Sequence, residues 1–358
     1  MRALVLWADD QSPNLGVRAL GEGTAALARR AWPQVEVSFQ IFGRGPSPLP
    51  IRSARSLVRE RLTGAAGLRK WLGTYDVVID TRAGDSFSDS YGVRRMTTMS
   101  AMAEMAAQAG VPVVLGPQTI GPFHTLRGRA LGRFSLRRAS LVMARDSVSA
   151  AFAAGCGRPV DVLTTDVVFA LAAPEIERTR DVLVNVSGLL WNPGPHTDTE
   201  RYRTTITRLV KKLRAGGRHV ELLAHVLEST SPDNDVPTVV ELARTLTPGS
   251  GPLLPRSLED VRRLVGSSRL VVGSRMHACL NALSVGTPAI PLAYSRKFTP
   301  LLTDLGWAHS VDLRDDPDPA AAVLAIAGRP GLAEEVVEVR ARAERLLNLA
   351  QTALAGLR

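Results

Sequence analysis

Cysteine is almost missing from this chain: Cys156 and Cys279 are the only two in 358 residues. A metal site built on thiolates is excluded by that number. Two isolated thiols among small and apolar neighbours read as reduced packing residues. Lysine is nearly as rare, since only Lys70, Lys211, Lys212 and Lys297 contribute to the 44 basic side chains. Aromatic residues make up 5% of the chain. They do not interleave with the arginines in the pattern that binds single strands, so nucleic acid is not an expected partner. No stretch of about 18 apolar residues occurs, which argues against a membrane-spanning helix. The opening "MRALVLWADD" holds a six-residue apolar run closed by two aspartates. That is too short for the core of a secretory leader and has no small-residue cleavage site, so a cytoplasmic chain is expected.

What is present points to a globular α/β protein. Hydrophobic residues form 45% of the chain. Its length exceeds what one core usually supports, so two domains are expected. The formal net charge of +10 favours phosphorylated or polyanionic partners. The arginines are scattered as pairs along helical stretches, which suits a phosphorylated small molecule or an anionic membrane surface. Short apolar runs such as "YDVVID", "VPVVLG", "SLVMAR", "DVLVNVS" and "SRLVVGS" alternate with helical patterns at Gly21 to Trp32, Arg94 to Gly110 and Thr199 to Gly216. That alternation predicts two Rossmann-like domains with parallel sheets covered by helices. The proline and charges of "ALAAPEIERTRD" mark the boundary, giving domains over 1–174 and 175–330 and a C-terminal helix over 331–358.

In open parallel sheets, ligands sit beyond the carboxyl ends of the strands. The loops there are "ADDQSPNLGVRALGEG", "DTRAGDSFSDSYG", "GPQTIGPFH", "ARDSVS", "NVSGLLWNPG", "AHVLESTSPDND", "GSRMH" and "YSRK". They are dense in Gly, Asn, Ser, Asp, Arg and His, a mixture that plain connections do not need. In "VVGSRMHACLNALSVGTP" the strand ends at Gly273, Ser274 is a plausible N-cap, and Arg275 and His277 fall in the first helical turn. Such a helix start favours a bound phosphate or carboxylate and disfavours a protonated imidazole. Proton gain at His277 is therefore expected to accompany binding of a dianion. The plainer alternatives stand beside this: the arginine pairs with a carboxylate, and the histidine is a hydrogen-bonded structural residue. Tyr294 and Lys297, after the next strand, are expected beside the same loop.

The segment "GSRMHACLNALSVGTPAIPLAYSRK" resembles the C-terminal signature of the polysaccharide pyruvyl transferases. "GPQTIGPF", "ARDSVSAAFAAG" and "NVSGLLW" are similar to further segments of that family in the same order, over roughly residues 10–310. The resemblance implies two domains similar to GT-B glycosyltransferases. It also implies a reaction in which phosphoenolpyruvate gives its enolpyruvyl carbons to two hydroxyls of a sugar, leaving a cyclic ketal and phosphate. No cofactor beyond that co-substrate and no metal is implied. The acceptor is then a lipid-linked or nucleotide-linked sugar, and the basic balance suits peripheral contact with the inner membrane face.

On that reading His277 protonates the methylene carbon, Arg275 holds the donor's anionic groups, and Arg145 and Lys297 add anion contacts. Arg145 equally suits an ion pair with Asp146 or another carboxylate. Ser274, Tyr294, Asn185, Ser187, Gly188 and His225 complete the donor side. Asn14, Gly16, Asp85, Ser86 and Gln118 line the acceptor side, and Asp89 is the acceptor base. Asp85 or Asp89 could instead cap the following helix. Thr81, Arg82 and Ala83 stand where the family carries glycines, which puts the shape of that pocket at issue. Asp166 reads as structural. Two other readings remain: a GT-B glycosyltransferase using a nucleotide sugar, and an anion-binding relative that has lost the chemistry.

Overall fold

The computed structural model describes residues 1–357. The chain divides into two compact units: Met1–Gln11, Leu20–Leu171 and the segment from Ala343 onward form the first, and Ser12–Ala19 with Ala172–Arg342 form the second. The change of unit at Leu171 falls inside the proline-containing stretch expected to hold the boundary. Two segments depart from a linear division. Residues 12–19 belong to the second unit, because Asn14 bridges Val226 and the Leu15 and Leu227 amides donate to His225 O and Pro13 O. The end of the C-terminal helix belongs to the first, where Thr164 donates to Leu346 O and Arg30 pairs with Glu344.

The first unit contains β1 (Arg2–Leu6), most of α1 (Leu15–Ala31), β2 (Glu36–Gln40), α2 (Ala54–Thr63), α3 (Leu68–Leu72), β3 (Val77–Asp80), α4 (Val93–Gln108), β4 (Val113–Gln118), α5 (Leu126–Arg138), β5 (Leu141–Ala144), α6 (Ser147–Gly155) and β6 (Val162–Leu163). The strands form one parallel sheet in the order β2-β1-β3-β4-β5-β6. Leu6 pairs with both Gln40 and Asp80, so the carboxyl ends of the central strands lie level. Every residue of β3 is buried, as a strand covered on both faces requires. Met99, Met102 and Met105 recur on one face of α4 and pack on Leu4, Leu6 and Val78.

The second unit continues with β7 (Arg180–Asn185), α7 (Gly188–Trp191), α8 (Thr199–Ala215), β8 (Val220–Leu223), α9 (Val236–Leu246), α10 (Leu258–Gly266), β9 (Ser268–Gly273), α11 (Met276–Ser284), β10 (Ala289–Ala293), α12 (Phe298–Asp304), β11 (Val311–Asp312), α13 (Pro319–Ala327) and α14 (Leu332–Ala355). Its parallel sheet has the order β11-β10-β9-β7-β8. Asn185, His225, Arg275 and Tyr294 all follow or end adjacent strands of this sheet, which gathers them at one edge. Among the described residues, no helix is long and apolar enough to cross a membrane.

Candidate active site

In the second unit, Asn185 ends β7 fully buried and ties three strand ends together. Its amide nitrogen donates to Leu223 O at 3.0 Å, and its carbonyl oxygen accepts from the Arg275 amide at 2.9 Å. This fixes the turn from β9 into α11. Ser274 does not cap that helix, contrary to expectation. Arg275 occupies the cap position with no side-chain cap bond, and the Ser274 hydroxyl lies 2.7 Å from the Tyr202 hydroxyl. The buried phenol also accepts from the Ser187 amide, and burial pushes its pKa up, so it stays protonated.

Asp235, which the sequence reading did not single out, is the hub of the site. It is fully buried; one carboxylate oxygen accepts from the Gly188 amide at 2.8 Å and from Arg275 Nη2 at 2.6 Å. The other oxygen accepts from the His225 and Val226 amides at 3.1 and 2.9 Å. Gly188 must be glycine here, since a Cβ would come within 2.0 Å of Asn234 O. Arg275 also bonds Asp233 through its carboxylate and carbonyl, both at 2.6 Å. Burial pulls the Arg275 pKa down, but Asp235 and Asp233 outweigh it and the guanidinium is held firmly charged. The expected anion-holding fork is thus committed to two acids. The physical reason is that a guanidinium only 7% exposed needs compensating carboxylates.

The two histidines lie beside this frame. His225 is fully enclosed, and burial first, then His277 and Arg275, hold its pKa well below the ordinary value. It is therefore neutral. Asn281 is oriented by Arg262 Nη1 on its oxygen, so its nitrogen faces His225 Nε2 at 3.3 Å and donates to His277 O at 2.8 Å. His277 is half-buried, and a Cβ on Gly16 would sit 3.0 Å from its Nδ1. Asn14 accepts from the Gly16 amide at 2.9 Å, and both residues stand next to His277 in the second unit, whereas they were expected on the acceptor side of the first. The cause is the Asn14–Val226 bridge. Tyr294 packs edge-on against Phe298 and His196, with Lys297 Nζ 6.0 Å from its ring. The Ser187 hydroxyl is buried with no hydrogen-bond partner, the kind of orphan that a bound ligand satisfies.

The first unit holds the remaining predicted residues. Asp89 clasps the turn before α5: its oxygens accept from the His124 and Thr125 amides at 2.9 and 2.7 Å and from the Thr125 hydroxyl at 2.8 Å. Partial desolvation works upward, but these bonds win and lower its pKa. A carboxylate so occupied holds the start of α5, and its lowered pKa weakens it as a base. A Cβ at Gly128 would lie 2.3 Å from the same carboxylate, so α5 itself is built around it. Arg145 is 1% exposed and pairs with Asp166 at 2.8 Å, while its Nε donates to Thr119. It is a buried ion pair at the end of β5, and Asp146 instead caps α6. Asp85 accepts from the Tyr91 hydroxyl, and Ser86 from Arg95 Nε. Gln118 is fully buried with neither amide atom partnered.

The missing glycines are explained by the same loop. Arg82 and Ala83 take positive φ of 47° and 52° ahead of Gly84 at 81°, the left-handed backbone that glycines adopt freely. Arg82 is held there by Asp80 at 2.8 Å and by stacking over the Phe87 ring at 4.6 Å. Asp80 is fully buried, and that burial pushes its carboxyl up against the pull of Arg82.

Two parallel-sheet units of this kind define a GT-B-like fold. The UDP-GlcNAc 2-epimerase of Neisseria meningitidis bound to UDP-GlcNAc is 12% identical, with a TM-score of 0.58 over 98% of this chain and 100% of that one. A UDP co-structure of S. aureus MnaA is 13% identical, with a TM-score of 0.57 over 99% and 96%. Anabaena HepE in complex with UDP-glucose is 10% identical, with a TM-score of 0.56 over 99% and 98%. At such identities the likeness is one of fold. Residues 14–296 match the profile of the polysaccharide pyruvyl transferases, and the chain belongs to that family. No curated protein matches it significantly in sequence.

Proposed function

We propose that the chain transfers the pyruvyl group of phosphoenolpyruvate onto two hydroxyls of a sugar in a glycan or glycan precursor, forming a cyclic ketal and phosphate without a further cofactor. The observation that carries this reading is the His225–His277 pair on the Asp235 frame, in a chain of this family. Burial keeps His225 neutral, which leaves the acid role in this reading to His277. His277 gives that proton to the methylene carbon, and C2 becomes electrophilic. The first hydroxyl adds to C2 and releases its proton. The bond from C2 to the phosphate oxygen then breaks with its electron pair on phosphate, and the second hydroxyl adds. One hydroxyl proton restores His277 and the other leaves with phosphate. General acid catalysis of this kind contributes ~10²–10⁴-fold. Because Arg275 is spoken for, the donor's anionic groups fall to Lys297 and the N-terminus of α11.

A second reading, a nucleotide-sugar glycosyltransferase, is favoured by the UDP ligands of the structural neighbours. The same ligands suit a nucleotide-linked acceptor under the first reading. Thermal stabilisation of the full chain by phosphoenolpyruvate, against a panel of nucleotide sugars, separates the two. Binding that raises the melting point with phosphoenolpyruvate and survives His277→Ala supports pyruvyl transfer. A response to nucleotide sugars alone sinks it.

A further inference from the structure

We propose that the first unit carries a site for the diphosphate of a diphosphate-linked sugar, formed by Arg52, Arg55, Arg94, Arg95 and Arg127 around a cavity of about 960 Å³. The sugar part rests on the pyruvyl-transfer reading; the anion part stands on the charges alone. No carboxylate lines this cavity. Elsewhere in the chain some arginines are neutralised, as Arg138 is by Glu104 and Arg218 by Asp181. Among the described residues, no ion pair involves Arg52, Arg55, Arg94 or Arg127.

Their placement goes against helix electrostatics. Arg55 lies in the first turn of α2, Arg94 and Arg95 in that of α4, and Arg127 in that of α5, and none of these turns contains an acidic residue. A helix N-terminus favours an anion and disfavours a cation. Asp89 compensates the start of α5 and Asp85 acts on Arg95, so the starts of α2 and α4 with Arg52, Arg55, Arg94 and Arg127 hold the surplus positive charge that a polyanion would offset. Guanidiniums bind phosphoryl oxygens as two-pronged donors, and five of them exceed what one phosphoryl group can accept. Arg95 is aimed by its bond to Ser86 and its stacking over Phe42 at 4.8 Å. Phe42, Tyr91 and Val93 give the cavity an apolar wall suited to a base, a sugar ring or the first carbons of a prenyl chain. The volume is that of a small-molecule site. Tyr91 joins it to Asp85, in the loop expected to meet the acceptor.

The test is calorimetric titration of the full chain with inorganic phosphate, inorganic pyrophosphate, UDP-N-acetylglucosamine and a short-chain prenyl diphosphate N-acetylglucosamine. Pyrophosphate is expected to bind at least about tenfold tighter than phosphate, and one ester tighter still; the better ester names the source of the diphosphate. Arg94→Glu with Arg127→Glu is expected to weaken pyrophosphate binding at least about 100-fold, while the melting point holds or rises as acids replace cations at helix starts. Unchanged binding in that variant overturns the site, as does tighter binding of an oligonucleotide or of anionic phospholipid vesicles through the same arginines. Esters no tighter than pyrophosphate overturn the sugar part. Loss of the phosphoenolpyruvate response with pyrophosphate binding intact strikes the pyruvyl-transfer reading and leaves the site standing; the reverse strikes the site alone.

Discussion

Replacing Asp235 by asparagine keeps the shape of the hub and removes its charge. In the folded protein its two oxygens accept from three backbone amides and from the Arg275 guanidinium. An asparagine presents one acceptor oxygen and turns an NH₂ toward the donors that met the other. The buried guanidinium also loses its closest counter-charge. Removing one partner of a buried pair costs ~3–5 kcal/mol. For a unit of this size each kcal/mol lowers the melting point by ~2–4 °C, so a fall of roughly 6–20 °C is expected. Asp233→Asn is the internal comparison. That carboxylate is 29% exposed and its backbone carbonyl still holds Arg275, so a loss of about 1 kcal/mol or less is expected. Arg275→Met falls between the two, because it leaves Asp235 with its three amide donors. Scanning calorimetry of the three variants reads the order directly. An Asp235→Asn protein that melts within about 2 °C of the wild type would refute the reasoning, and Arg275 would then be available as the donor-binding fork.

His225 is kept neutral in the fold, whereas in the unfolded chain it gains a proton near pH ~6.5. Its contribution to stability is complete above that pH and declines below it by up to ~1.36 kcal/mol per pH unit. Urea unfolding between about pH 7.5 and 5.5 should show this slope, and His225→Asn should flatten it; equal slopes contradict the assignment. Asp89→Asn should cost about 1 kcal/mol through the loosened start of α5 and leave kcat within a few-fold, whereas a drop of ~10²-fold or more at unchanged stability restores it as the base. Ala83→Gly relieves a left-handed backbone and should stabilise the protein by up to about 1 kcal/mol, measured by denaturant midpoint; a loss of stability shows that no strain is held there.

The strands were legible because parallel strands covered on both faces are written as continuous apolar runs, as in β3, β4 and β9. The gathering of Asn185, His225, Arg275 and Tyr294 followed from one rule, that loops at carboxyl strand ends share an edge. What those side chains hold was not legible. Arg275 meets Asp235 across 40 positions, Asp89 meets Thr125 across 36, and Arg145 meets Asp166 across 21. No periodicity links such pairs; they exist because buried or half-buried charge must find a counterpart once the sheet has formed. Asp235 carries no local signal of its own: it precedes Val236-Pro237 at the start of α9, yet it makes no side-chain cap bond there. The one available signal was the acid-rich "SPDND" one loop away from Arg275, whose plainer alternative was to pair with a carboxylate. Asn14 and Gly16 moved to the second unit through a single bridge, which no local pattern announces.

The central claim is tested most directly by running the reaction in D₂O with phosphoenolpyruvate and a diphosphate-linked sugar, and reading the product by NMR and mass spectrometry. The account predicts one inorganic phosphate per ketal, a ketal methyl group carrying one solvent deuterium, and a turnover lowered ~10²–10⁴-fold in His277→Gln with phosphoenolpyruvate still bound. Consumption of a nucleotide sugar with phosphoenolpyruvate untouched, or full turnover in His277→Gln, would contradict it.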